Sequence, residues 1–268
     1  MEFARRVNIK TSRTKQRKSN MKKVLIILLP IVFLFILWQS IIVIFDLPHY
    51  IMPKPKDVFF QLINQHSLLW EHTQTTLLEI IIGIILGCIF GLGSAFTLLY
   101  FKKIEKYLLP LLVISQAIPV FAIAPLLVLW FGYGMASKIV MTVIIIYFPI
   151  TTACYDGLKN TPKQWLQLAH TYKLSALQTL LKVRFRASLP SLASGLKIAV
   201  CIAPIGAVIG EWVGSSKGLG YLMLHANARM QIDLMFSALF ILIVMTLSIY
   251  FLTDYLTKKF IPWASHLH

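Results

Sequence analysis

The sequence predicts an all-α, polytopic membrane protein with six transmembrane helices. Three observations lead there. Of 268 residues, 57% are hydrophobic and 13% charged, about half the charged share of an ordinary globular domain, and the mean hydropathy is +0.74. Six stretches are apolar enough to approach the roughly 17–25 residues that a ~30 Å hydrocarbon core demands. The basic residues, 26 against 10 acids, alternate sharply between successive connections. A soluble fold this apolar would expose large sticky patches. A nucleic-acid binder would be polar as well as basic. The expected surroundings are lipid, and no nucleic-acid partner is expected.

Residues 1–20 are polar, basic and without apolar periodicity, so they read as a disordered tail; Met21 is a candidate start. The first span, Val24–Phe45, has no charge and no small-residue cleavage site, so it reads as retained. The second, Leu77–Tyr100, carries Gly83, Gly87, Gly91 and Ala95 at intervals of four. On a helix these form one small-residue stripe against which another helix can pack closely. The same span holds Glu79. An acid within lipid marks a functional site by default, but near the interface it can reach water or pair with a neighbour, which is the favoured reading.

The third span, Tyr107–Phe131, contains Pro110, Pro119, Pro125 and Gln116. Proline frees backbone carbonyls that protein or water must satisfy, so broken helices favour cavity-lining positions; kinking alone stays equally open. Ile139–Ala153 is a short fourth span. Leu189–Ile209, with Lys197 inside it, is the fifth, and Leu234–Leu252 the sixth. The six-span unit runs over 21–263, and 264–268 is a short tail. Cys88, Cys154 and Cys201 lack metal-ligand spacing and read as apolar thiols.

Charge sets the orientation. The N-terminal tail, the loop Lys102–Lys106, the loop Asp156–Ser188 and the C-terminal tail together hold 20 basic residues. The alternate connections hold five: Lys54, Lys56, Lys138, Lys217 and Arg229. The positive-inside rule puts both termini in the cytoplasm.

The loop 156–188 carries the most local information. Thr161-Pro162 reads as an N-cap followed by proline at the first helical position. Trp165, Leu168, Ala169 and Tyr172 then share one face of a short helix, Pro162–Tyr172. After Lys173 and Leu174, Ser175 can cap a second helix with Leu177, Leu180, Leu181 and Phe185 on its apolar face. Either two helices lie on the membrane surface, or the loop is a knob offered to a cytoplasmic partner. The chain lacks a G-x-x-x-x-G-K-[ST] phosphate loop, H-E-x-x-H and G-x-S-x-G, so neither ATP chemistry nor intramembrane hydrolysis is read in it. A self-sufficient secondary transporter would tend to show repeat symmetry and ion-coupling charges in the membrane; only Glu79 and Lys197 are candidates for the latter.

At this loop the chain resembles the membrane subunit of bacterial ATP-binding-cassette (ABC) importers, whose signature has the form E-A-A-x3-G-x9-I-x-L-P. Gln167-Leu168-Ala169 stands in the E-A-A position, Lys173 in that of glycine and Val183 in that of isoleucine. Phe185-Arg186 replaces the first Leu-Pro, and Leu189-Pro190 matches a second. Further segments are similar to the nitrate, sulfonate and taurine branch. They are Gln116-Ala117-Ile118-Pro119 through Ala124-Pro125-Leu126, Trp130-Phe131-Gly132-Tyr133-Gly134 with Lys138, Met52-Pro53-Lys54-Pro55, and Phe148-Pro149-Ile150. Within that branch, Tyr155-Asp156-Gly157-Leu158, the run Ala203–Gly214, Gly218-Leu219-Gly220-Tyr221 and Ala226–Met230 look like the subgroup assigned to hydroxymethylpyrimidine, a thiamine precursor.

The resemblance covers nearly all of 24–263 and implies a type I ABC importer permease fold. It implies a non-ATPase subunit that binds no cofactor itself, with ATP and Mg on a partner. The implied partners are a second permease copy, a cytoplasmic ABC ATPase dimer and a periplasmic substrate-binding protein. The loop 156–188 would be the coupling loop, with Trp165, Gln167, Leu168, Ala169, Tyr172, Lys173 and Ser175 receiving the ATPase. Gln116, Pro119, Pro125, Lys197, Pro204 and Glu211 are candidates for the translocation path or gate, with packing as the alternative for each. The implied transport is of a small organic solute from periplasm to cytoplasm in the bacterial inner membrane, a thiamine precursor or, alternatively, a sulfonate, taurine or nitrate.

Overall fold

A computed structural model describes residues 29–30 and 32–263. The tails 1–20 and 264–268 and the start of the first span lie outside the described residues. Those described form α1 (Val32–Ile44), α2 (Pro55–Asn64), α3 (His66–Tyr100), α4 (Lys102–Ala117), α5 (Val120–Phe131), α6 (Met135–Lys159), α7 (Lys163–Thr171), α8 (Ala176–Thr179), α9 (Phe185–Gly214), α10 (Leu219–Ala228) and α11 (Ile232–Phe260). A π-helical turn, Leu180–Arg184, joins α8 to α9, so Ala176–Gly214 is one rod of 39 residues.

Helices α3, α6, α9 and α11 are long and apolar enough to cross a membrane, and α4 with α5 makes a pair bent by 100°. The bend is the break that the prolines of the third span led one to expect, and it falls at Pro119. Its cause is Pro119, which caps α5 and, having no N–H, cannot continue α4. The second span is also longer than its apolar run suggests, because α3 begins at His66 with a polar first third.

Helix α6 lies between α3 and α9. The small-residue stripe of α3 faces it: a Cβ on Gly83 would sit 2.5 Å from Thr142 Cγ2, one on Gly87 2.6 Å from Ile146 Cδ1, and one on Gly91 2.8 Å from Ile150 Cγ2. Ala95, the next in the stripe, is fully buried. From the other side, a Cβ on Gly206 would lie 2.6 Å from the Cα of Thr142, and one on Gly195 2.8 Å from the carbonyl oxygen of Pro149. Large side chains at these positions would hold the helices apart; their absence is what lets both approach α6. Ile80, Ile146, Ile150, Ala199, Ala203 and Ala207 form the middle of the resulting core.

The loop after α6 differs in detail from its sequence reading. Thr161 does not cap α7; its hydroxyl donates to the Leu158 carbonyl at 2.9 Å, and α7 starts at Lys163 after Pro162. Lys173, in the position of the signature glycine, itself takes the left-handed conformation, φ +51. It closes α7 in a Schellman motif: Lys173 N–H bonds to His170 O (2.9 Å) and Leu174 N–H to Ala169 O (3.0 Å). Ser175 accepts from Gln178 N–H while the Gln178 side chain accepts from Ser175 N–H, a complete capping box. The second helix does not lie apart on a surface, because the π turn carries it straight into α9.

Candidate functional site

The loop 160–184 and the turn joining α9 to α10 lie at opposite ends of the bundle, because α6 and α9 each run from one to the other. At the α9–α10 end, polar groups from four helices meet in the buried interior. His72, Thr76 and Glu79 recur at helical spacing on one face of α3. Thr76 Oγ1 donates to Glu211 Oε1 at 2.6 Å and accepts from Leu219 N–H at 2.8 Å. His72 Nδ1 accepts from Gly218 N–H at 2.9 Å, and Glu211 Oε2 accepts from Gly220 N–H. Three successive N–H groups at the start of α10 are thereby held by side chains of α3 and α9, satisfying donors that a helix N-terminus leaves orphaned. Gly218 takes φ +115 and lies so close to the Glu211 carboxyl that no Cβ fits there.

The cluster continues into α6. Lys138 Nζ donates to Glu79 Oε1 at 2.9 Å and to Ser215 Oγ at 2.7 Å. Ser215 in turn accepts from Lys217 N–H at 3.1 Å. Glu79 and Glu211 are 0% and 1% exposed and Lys138 5%, so this is a desolvated ion-pair network, in which each charge depends on its partners. Glu79 Oε2 has no hydrogen-bond partner among the described residues. Chemically the arrangement is a clamp tying α3, α6, α9 and α10 together.

Two expectations change here. Lys138, counted among the connections, is buried inside α6. Glu79 does pair with a neighbour, but it does not reach water. Glu211, a path or gate candidate, has its carboxylate buried in the clamp. Thr76, His72 and Lys138 were not picked out from the sequence as a group. The legible signal was the spacing of His72, Thr76 and Glu79 along an otherwise apolar helix.

The other path candidates separate. Lys197 pairs with Asp254 of α11 at 2.5 Å, so it bridges two helices. Pro204 is buried within α9. Gln116 and Pro119 flank the α4–α5 break and Pro125 lies one turn into α5, all three exposed. At the opposite end, Trp165 (48%), Leu168 (57%) and Tyr172 (73%) project from α7, whereas Ala169 (3%) is turned inward. Gln167, Lys173 and Ser175 are exposed around them. With Lys182, Arg186, Leu189 and Trp263 the α7 residues line a mostly apolar hollow of about 760 Å³.

One group of metal-ligand side chains converges among the described residues. His49 Nε2 lies 2.9 Å from Asp233 Oδ1 and 3.8 Å from Asp57 Oδ2. Asp57 and Asp233 occupy the first turns of α2 and α11, where carboxylates balance the helix dipole. The group is a polar contact tying the turn after α1 to both helices.

Comparison with known proteins agrees with this geometry. The family model described as "Binding-protein-dependent transport system inner membrane component" matches residues 80–265. A Haemophilus influenzae ABC transporter permease protein is 63% identical over 86% of this chain and 94% of its own length. The formylaminopyrimidine transport permease protein of Halalkalibacterium halodurans is 35% identical over 86% of this chain and 92% of its own. The riboflavin transport system permease protein of Chloroflexus aurantiacus is 34% identical over 88% of each chain. Sulfonate and taurine permeases match at lower identity, 28% and 22%. In fold, the chain is similar to the inward-facing MetNI methionine ABC transporter, with TM-score 0.64 at 18% identity over 73% of this chain and 97% of that one. The chain belongs to the binding-protein-dependent transport family as a multi-pass inner-membrane permease subunit of an ABC importer for a small solute, in the sulfonate and taurine branch near the thiamine-precursor subgroup.

Proposed function

We propose that this chain forms the membrane path of an ATP-driven importer for a small nitrogen heteroaromatic solute of the thiamine-precursor type. The observation that carries the substrate class is the 35% identity, over nearly the whole of both chains, to the formylaminopyrimidine permease. Two identical copies enclose a central path, the broken α4–α5 span contributing Gln116 and Pro119 to its wall. Both termini and the loop 160–184 lie in the cytoplasm, where the basic residues concentrate. A cytoplasmic ATPase dimer seats on Trp165, Leu168 and Tyr172 of α7, and a periplasmic binding protein delivers solute at the α9–α10 end. ATP-driven closure of the ATPase pushes on α7 and biases the spans between inward- and outward-facing states, since a ligand shifts an equilibrium only through differential interaction with its two states. No ATP or Mg is held by this chain itself.

The test is uptake of radiolabelled formylaminopyrimidine by cells carrying the complete system, against cells in which only this chain is deleted. ATP-dependent accumulation that needs this chain supports the reading. Accumulation of taurine but not the pyrimidine overturns the substrate class, and uptake that survives loss of the ATPase overturns the mechanism.

A further inference from the structure

A second hollow, of about 450 Å³, opens at the α9–α10 end within one protomer. It lies between α2, the start of α3, and α10. It uses none of the residues at the α4–α5 break or in α7. Three flat rings form part of its wall. His72 and Tyr221 stack with centroids 5.8 Å apart at 26°, and Tyr221 meets His225 at 4.1 Å and 48°. Gln61, Gln65 and Gln231 line the same hollow. No hydrogen bond joins their side-chain amides, or the Tyr221 hydroxyl, to another described residue, in contrast to Thr76, Glu211 and Lys138 of the neighbouring clamp. Glu71 and Lys217 neutralise each other at 2.6 Å. Arg229 is then the one lining residue with a full charge and no ion-pair partner.

We infer that this hollow is a subsite for a planar nitrogen heterocycle, neutral or singly anionic, on its way into the transporter. The volume lies within the range of small-molecule sites. A flat π surface favours an aromatic ring over an aliphatic one. Side-chain amides both donate and accept, which matches the alternating donor and acceptor edge of an aminopyrimidine. An aliphatic sulfonate would use Arg229 alone and leave the rings and amides idle. The floor of the hollow is shared with the clamp: His72 is 6% exposed and its Nδ1 is committed to Gly218 N–H, while Tyr221 stands in the first turn of α10. An occupant therefore touches His72, which holds the Gly218 N–H of the α9–α10 turn, and Tyr221 in the first turn of α10. The inference rests on the proposed substrate class and adds where, within one protomer, that solute is held.

The test is equilibrium binding of radiolabelled formylaminopyrimidine to the purified permease–ATPase complex, without binding protein, with taurine as competitor. Saturable binding is expected, weakened about tenfold by Tyr221→Leu and by Gln61→Leu, and insensitive to taurine. Thermal unfolding of each variant complex checks that it is folded; His225→Leu serves as a second ring deletion if Tyr221→Leu is not. Absence of saturable binding overturns the subsite. So does binding that both variants leave unchanged, or displacement by taurine at equal concentration. Cells that import the pyrimidine while the purified complex fails to bind it refute the subsite and leave the proposed function standing. Cells that import only taurine refute the proposed function.

Discussion

Lys138→Met removes the one cation of the buried clamp while keeping most of the side-chain volume, so its cost is electrostatic rather than a cavity. In the parent protein the ammonium donates to Glu79 at 2.9 Å and to Ser215 at 2.7 Å. Glu79 is wholly buried and its second oxygen has no hydrogen-bond partner among the described residues. Removing one member of a buried ion pair costs about 3–5 kcal/mol, because the remaining charge stays desolvated and unpaired. A second substitution, Glu79→Gln, discharges the partner, and the double variant should recover to within about 2 kcal/mol of the parent. Lys217→Met is the matched control. Its pair with Glu71 is shorter, 2.6 Å, but the two side chains are 59% and 55% exposed, and such pairs often contribute nothing measurable. Equilibrium unfolding of the detergent-solubilised protein reads all four. The reasoning fails if Lys138→Met is no more damaging than Lys217→Met. It fails equally if the double variant is as unstable as the single one.

Further outcomes follow from the loop and the packing. Lys173→Gly should stabilise by about 1 kcal/mol, since a left-handed position penalises any Cβ; an unchanged or lower melting temperature would contradict the Schellman geometry. Gly206→Leu should cost at least the upper end of about 1–3 kcal/mol, because its Cβ would sit 2.6 Å from the Thr142 backbone, whereas Gly93→Ala, with nothing within 4 Å, should be silent; loss of monodisperse protein on size exclusion reports the difference. Leu168→Glu should abolish copurification of the ATPase while leaving the permease folded, and Ala169→Glu should disturb the loop itself, because only the second side chain is buried. Equal copurification with Leu168→Glu would remove α7 as the docking element. Tags on both termini should resist protease added to intact cells whose outer membrane has been permeabilised; digestion would invert the topology.

What the sequence made legible follows the physics of each signal. Apolar runs and proline marked the spans and the weak point of the third, because span length and missing N–H groups are local properties. The stripe Gly83–Ala95 pointed to close helix packing but could not name α6 as the partner. The reciprocal glycines of α9, Gly206 and Gly210, which meet Thr142 and Lys138 of α6, stand with Gly214 at the same interval of four, a period as legible as that of α3 though neither stripe names its partner. Spans were set shorter than their helices wherever polar or mixed sequence continued the helix, as at His66–Thr76 and Cys154–Lys159. The clamp was the largest omission. Thr76, Lys138 and Glu211 are far apart in sequence, and each alone reads as an interfacial polar residue. Only the fold, by laying α3, α6 and the α9–α10 turn together, makes them one network. At Lys173 the lost glycine left the turn open, and the φ of +51 shows that the backbone kept the conformation while the side chain changed.

The two ends of the bundle are mechanically joined because the same two helices carry both. Helix α6 holds Lys138 in its first turn and ends at Lys159, three residues before Pro162 opens the α7 loop. The rod Ala176–Gly214 starts at that loop and ends beside Glu211. Arg184 of the π turn donates to the Leu158 carbonyl at 3.2 Å, and Gly157 lies so close to Ser188 that a Cβ would come within 2.8 Å of its Cα. A displacement of α7 therefore cannot move one of these helices alone. At the far end the clamp binds both to α3 and α10, so the four should travel as one body. The compliant elements are then the π turn, where an extra residue per turn loosens the helix, and the α4–α5 break at Ile118–Pro119. If ATP-driven alternation has a hinge within the protomer, it lies at those two places. Bridging α5 to α6 should stall transport with ATPase coupling altered, whereas bridging α3 to α6 next to the clamp should leave transport intact. Stalling by the second bridge and not the first would show that the clamp opens during the cycle and is not the rigid end of the lever.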